Sequence, residues 1–235
     1  MQAIVLAGGK GIRLKPYSTI IPKPLMPVGE MPILEIVLRQ LKTAGFERVI
    51  LAIGYLGEMF RAFFQDGARL GLRIDYSMEE EALGTAGPIA LNLEVLDDDV
   101  LVMNGDLLTT LNYKKLFEFH KSVGAAATIG TYKRDVKIDF GVVENEGGKL
   151  SRYIEKPVHH YDVSMGVNVV NIPTARKFLV PGNYLDIPEL MTALRDEGHS
   201  VHCYQENCYW LDIGRIDDYQ TANEIFESRK AEFLP

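Results

Sequence analysis

Residues Ile4 to Glu35 read IVLAGGKGIRLKPYSTIIPKPLMPVGEMPILE, and this stretch decides the fold. The run AIVLA has the length and composition of a buried strand, and two glycines end it. A strand that stops in a glycine loop lets backbone N–H groups turn inward toward phosphate oxygens with no Cβ in the way. The spacing fits neither the dinucleotide fingerprint nor the P-loop, and Gly8, Gly9 and Gly11 alone read as a plain turn. Arg13 and Lys23 change that. A guanidinium grips phosphate oxygens as a fork and an ammonium acts as a point charge. Lys23 stands between Pro22 and Pro24, which restrict the backbone around it in a way no solvated lysine requires. Lys10 and Lys15 have solubility as their simplest role, which we accept for Lys15.

Working outward, strand-like and helix-like segments alternate. PILEIVLRQLKTAGF reads as a helix with Pro32 in its first turn, an apolar stripe (Ile33, Leu34, Val37, Leu38, Leu41) and Gly45 just past its end. RVILAIG, RIDYS, VLVMNGD and AAATIGTY read as strands, and YLGEMFRAFFQDG, a segment after Gly84 and YKKLFEFHKS as helices. Later come a hairpin around Glu146-Gly147-Gly148, a strand MGVNVVN, a helix IPELMTALRDEG, strands VHCYQ and CYWLDIG, and a closing amphipathic helix. The order predicts an α/β fold with a mostly parallel sheet covered by helices on both faces. Ligands of such sheets bind beyond the C-terminal strand ends, which directs attention to Gly8–Arg13, Asn104–Asp106 and Asp212. Phe60, Phe63 and Phe64 read as core, Trp210 as core near the site, and the His159-His160 pair as a solvated loop.

The chain has 235 residues, 47% of them hydrophobic, enough for one domain spanning 1–235 with a substantial core. A net charge of −7 and a pI near 5.3 argue against nucleic acid as partner. There is no apolar run of membrane-spanning length, and the apolar start is too short for a signal peptide. Cys203 and Cys208 lack redox or zinc spacing and read as free thiols, which points to the cytoplasm.

LAGGKGIRLKPYSTIIPKPLMPV resembles the signature of the sugar-1-phosphate nucleotidylyltransferases, usually written GGxGTRLxPLT followed by PKPLxPV. The resemblance implies a Rossmann-like three-layer sandwich with a mixed, mostly parallel central sheet, of the nucleotide-diphospho-sugar transferase type. It implies that Leu6, Ala7, Gly8, Gly9, Gly11 and Arg13 hold a nucleoside triphosphate and that Lys23 contacts the reacting phosphates. Ile12 stands where the family commonly has Thr, so a hydroxyl contact is lost there. EEEALGTAGPIAL resembles the segment that lies against the base, with Glu79, Gly84 and Thr85 as nucleotide contacts and small residues suited to a tight slot. Asp106 and Asp212, each ending an apolar strand, match the family's Mg²⁺ ligands. Glu155-Lys156-Pro157 resembles its EKP motif, with Glu155 on sugar hydroxyls and Lys156 on the sugar phosphate. Gly141, Gly166 and Asn168 match positions around the sugar, although a strand-edge asparagine would look the same.

The implied reaction joins a nucleoside triphosphate and a sugar 1-phosphate into a nucleotide sugar and pyrophosphate, with Arg13, Lys23 and Asp106 as its catalytic residues. The EEEALGTAGP stretch most resembles mannose- and heptose-1-phosphate guanylyltransferases, so GTP ranks first. Uridylyl- and thymidylyltransferases of glucose or amino sugars share the frame. A non-catalytic nucleotide-sugar sensor and a cytidylyltransferase of a non-sugar phosphate are the readings from other classes. No C-terminal β-helix domain is expected, no membrane contact, and the oligomeric state stays open, a homodimer included.

Overall fold

The computed structural model describes residues 1–9, 11–14 and 16–234. Lys10, Lys15 and the side chain of Ile12, each given a reading above, lie outside that description. In chain order the elements are β1 (Gln2–Leu6), β2 (Pro27–Val28), β3 (Met31–Pro32), α1 (Ile33–Thr43), β4 (Arg48–Ile53), α2 (Gly57–Phe64), β5 (Arg73–Met78) and α3 (Gly87–Leu91). Then follow β6 (Asp99–Asn104), β7 (Leu107–Thr109), α4 (Tyr113–Val123), β8 (Ala127–Lys137), β9 (Val142–Glu146), β10 (Lys149–Ile154) and β11 (Val158–Asn171). The chain closes with α5 (Ile172–Ala175), α6 (Ile187–Asp196), β12 (Val201–Gln205), β13 (Trp210–Asp212) and α7 (Ile216–Phe233).

The main sheet has seven strands in the order β12-β8-β11-β6-β1-β4-β5. Only β11 runs antiparallel to its neighbours, so the sheet is mixed and mostly parallel, as expected. Side-chain alternation along β1 builds the three layers. Ala3 and Val5 face a core made with α1, α2 and α4, whereas Ile4 faces one made with α3, α5 and α6. A third apolar cluster, around Leu14, Val28, Ile36, Leu108, Ala222 and Phe226, fastens α7 over β2 and β7.

Three expectations need correction. Phe60 and Phe64 are fully buried, but Phe63 is 45% exposed, because it lies off the stripe that meets the sheet. His159 and His160 are not in a loop. β11 begins at Val158 and pairs with β8, setting the exposed His160 opposite Asp135 with Nδ1 2.6 Å from its carboxylate. Helix α1 starts one residue after Pro32, which sits at its N-cap.

Inside α1, Glu35 is 6% exposed and takes hydrogen bonds from Arg39 (2.7 Å) and Arg69 (2.9 Å). Burial pushes its carboxyl up, but the two guanidinium groups outweigh burial and hold it below the ordinary carboxylate range. A depressed folded-state pKa stabilises the fold above the unfolded value and loses that contribution as pH falls through the folded one. Both arginines are about half exposed, so a modest loss is expected from Glu35→Gln, about 1.5 kcal/mol at neutral pH. Urea unfolding should show that difference shrinking as pH drops below about 4.

Candidate active site

Strand β1 ends by donating from the Ala7 N–H to the Ala52 carbonyl (2.8 Å), and the glycine loop leaves the sheet there. At Gly9 a methyl group would meet none of the described residues within 4 Å, so they leave this turn of backbone open. Gly11 has φ +57°, and its carbonyl accepts from the Leu14 N–H (2.9 Å) and the Ser18 hydroxyl (2.6 Å). Arg13 follows in a single helical turn, exposed, with its guanidinium flat against Gly214. A methyl there would lie 3.4 Å from Cζ, Nη1 and Nη2 alike.

The chain then folds back to Lys23, which opens a short 3-10 turn and is only 8% exposed. Its Nζ lies 2.5 Å from Asp106 Oδ2 and 3.6 Å from Asp212 Oδ1. Two short strands bring those carboxylates together. Gly105, held by its N–H to the Leu6 carbonyl, turns the chain from β6 into β7, and β7 pairs with β13 so that Asp212 faces Leu107. Burial pushes the Asp106 carboxyl above the ordinary range, the Lys23 charge and hydrogen bond pull it down, and Asp212 adds to the rise. Asp106 Oδ1 is buried and has no hydrogen-bond partner among the described residues.

Glu79 reaches the loop from the end of β5. Its Oε2 accepts from the Leu83 N–H (3.2 Å), and its Oε1 lies 3.1 Å from where a methyl on Gly8 would be. Burial raises its carboxyl pKa against the effect of that bond. The glycines of LGTAG also stand against the loop that leads into α6. At φ +76°, a methyl on Gly84 would come 2.5 Å from the Leu185 carbonyl oxygen, and one on Gly87 3.2 Å from the Asn183 oxygen. Residues 183–187 thus pack closely on this segment. The Thr85 hydroxyl is committed to the same contact, donating to Asp186 (3.0 Å) and accepting from the Ile187 N–H (2.8 Å).

Gly166 and Asn168 belong to β11. With φ +71°, Gly166 makes room for the Asn104 side chain, whose Nδ2 would be 2.6 Å from a methyl there. Asn168 is no strand-edge residue: β11 lies between β8 and β6, and the side chain is 4% exposed with Oδ1 unpartnered. Gly141, Glu155 and Lys156 stand together on the hairpin beside the β8–β11 ribbon. Gly141 lies under the Tyr153 hydroxyl, and Lys156 has φ +43° and meets Glu155 at 4.0 Å, both side chains exposed. The Trp210 indole donates to the Met165 carbonyl (3.0 Å) and packs on Tyr132, bracing the strand that carries Gly166.

A model of the nucleotidyl transferase family matches residues 2–229. The chain belongs to that family. It is 33% identical, over 94% of its length, to the Xenopus tropicalis protein named mannose-1-phosphate guanylyltransferase catalytic subunit beta. It is 31% identical, again over 94%, to the UTP–glucose-1-phosphate uridylyltransferase of a Synechocystis strain. The chain spans 63% and 62% of the lengths of those relatives, less than two thirds of either. The solved structure of HddC from Yersinia pseudotuberculosis superposes with a TM-score of 0.75 at 25% identity, covering 96% of this chain and 99% of that one.

Several residues that shape this candidate site escape the sequence motifs. Ser18 is 2% exposed and ties down the glycine loop. Asp218 accepts from the Gly214 (3.1 Å) and Arg215 (2.8 Å) N–H groups, fixing the turn against which Arg13 lies. Asp186 anchors Thr85 from 101 residues away, and no local signal announces that pairing. No helix among the described residues is long and apolar enough to cross a membrane, and Cys203 and Cys208 are both free thiols.

Proposed function

We propose that the chain transfers a nucleotidyl group from a nucleoside triphosphate to a sugar 1-phosphate, forming a nucleotide sugar and pyrophosphate. The observation that carries this is the convergence of Lys23 on Asp106 and Asp212 beside the glycine loop, past the C-terminal ends of the parallel strands β1 and β6. A phosphate oxygen of the sugar phosphate attacks the α-phosphorus in line. The bond from that phosphorus to the bridging oxygen breaks, and pyrophosphate leaves with the electron pair. The attacking oxygen is already anionic at neutral pH, so positioning and charge neutralisation carry the rate.

In this reading Arg13 and the loop N–H groups hold the β and γ phosphates, and Lys23 stabilises the α-phosphoryl oxygens. Lys156 draws in the second anion, Glu155 takes sugar hydroxyls, and Gly141, Gly166 and Asn168 frame the sugar. A Mg²⁺ ion fits the donor set. Asp106 and Asp212 are hard oxygen ligands brought together around one ammonium, and Mg²⁺ keeps several positions for water and phosphate. Held by those two carboxylates, it would neutralise charge on the phosphoryl oxygens.

GTP with mannose or heptose 1-phosphate is the first substrate reading. Glu79 supports it, because a carboxylate accepts from guanine N1–H and N2–H whereas uracil or thymine also asks for a donor. The uridylyltransferase relative supports a second reading, UTP or dTTP with a glucose or amino-sugar phosphate. Pyrophosphate release should be measured with Mg²⁺ over a matrix of nucleoside triphosphates and sugar 1-phosphates. A dominant GTP column is expected. A dominant UTP or dTTP column would overturn the role given to Glu79 and keep the reaction. Silence throughout, with nucleotide sugar still bound, would replace the enzyme by a sensor.

A further inference from the structure

The Lys23 ammonium sits in the notch between the two carboxylates that the proposed reaction assigns to a metal ion. Asp106 offers solvent only one usable oxygen. Its Oδ1 is sealed, and its Oδ2 is the atom that Lys23 holds at 2.5 Å. An ion contacting Oδ2 and Asp212 at the roughly 2.1 Å that Mg²⁺ demands would crowd an ammonium already 2.5 and 3.6 Å from those groups. Two cations that close repel strongly in a partly buried site. We propose that Lys23 is the resident cation of the Asp106–Asp212 pair in the ligand-free protein, and that a divalent ion takes its place only when a triphosphate gives the ammonium another anion. The inference rests on reading Asp106 and Asp212 as the metal carboxylates.

Three features make the exchange mechanically simple. Pro22 and Pro24, with hydrogen bonds from Leu25 N–H to the Pro22 carbonyl (2.8 Å) and Met26 N–H to the Lys23 carbonyl (3.1 Å), fix the backbone. Motion is then confined to a flexible four-carbon stem whose ammonium can re-aim its three donors, which a planar guanidinium could not do as freely. The stem also starts in the right place: Lys23 Cβ is 3.3 Å from where a methyl on Gly11 would be, against the glycine loop. Rotation about the side chain therefore carries the charge from the carboxylates toward the bound phosphates. No group of three or more metal-binding side chains exists among the described residues, so an ion must draw further ligands from water or from the triphosphate.

Metal and triphosphate should accordingly raise each other's affinity, with Lys23 as the coupling element. The test is titration with Mn²⁺ alone, followed by electron paramagnetic resonance, on wild type and Lys23→Met without any nucleotide. The variant is expected to bind Mn²⁺ about tenfold tighter or more, because the competing charge is gone. Equal affinities would overturn the inference and leave the proposed reaction untouched. Absence of Mn²⁺ binding by either protein up to millimolar concentration would overturn the inference, and repeating the titration with a triphosphate present would show separately whether the metal assignment stands. Should the variant fail to fold, the wild type still decides. In ¹⁵N-lysine spectra the protected Lys23 ammonium signal should persist with Mg²⁺ alone and move only once a triphosphate is added. A shift with Mg²⁺ alone would overturn the inference.

Discussion

Asp106→Asn is expected to lower kcat about 10²- to 10³-fold, or roughly 2.7–4 kcal/mol of transition-state stabilisation, the usual effect of losing one preorganised electrostatic group. The substitution keeps the size and shape of the side chain and leaves an amide oxygen to accept from Lys23. The urea midpoint should therefore move little while turnover collapses. Asp212→Asn should act in the same direction by less, because its side chain is 43% exposed and water can fill the gap. Steady-state kinetics on both variants, beside their unfolding curves, would check the pair. Wild-type turnover in Asp106→Asn would remove the proposed centre of the site.

Gly84→Ala carries the largest expected loss of stability. At φ +76° an L-residue costs about 1–2 kcal/mol. Its methyl would also press to 2.5 Å from the Leu185 oxygen, which already accepts from the Ala86 (2.8 Å) and Gly87 (3.1 Å) N–H groups. Backbone cannot yield as a flexible side chain would, so overpacking adds about 1–3 kcal/mol. A total of about 2–5 kcal/mol should appear as a lowered urea midpoint at unchanged slope. Gly9→Ala is the matched control. Its methyl meets none of the described residues within 4 Å, so stability should hold, and an added cost in KM for the triphosphate would place phosphate at that open turn.

The parts of the fold legible in the sequence were those with local causes. Strands β1, β4 and β6 are buried on both faces, so they read as unbroken apolar runs, and the glycine and proline punctuation around α1 locates it within a residue. Lys23 was singled out by its two prolines, and its burial agrees with that emphasis. What stayed illegible depends on contacts distant in the chain. β7 and β13 are three residues each, too short to carry a pattern, yet their pairing sets Asp212 beside Asp106. The LGTAG glycines were visible as a need for smallness, but not that residues 183–187 pack against them. The paired histidines looked like a loop because exposed strand and solvated loop share a polar composition, and only the partner strand β8 distinguishes them.

The position of β13 in the chain has a consequence for how the protein comes into being. All seven strands of the main sheet, β12 included, precede Asp212, and the helix that clamps the turn after it follows later still. The glycine loop and Lys23 leave the ribosome well before Asp212, and the loop-closure cost of joining them to it falls due late. In the proposed reading, the lysine and the first carboxylate are thus made well before the second carboxylate arrives beside them. The proposed competence to break the α–β phosphate bond would be acquired in one late step, together with the turn after Asp212 that backs Arg13.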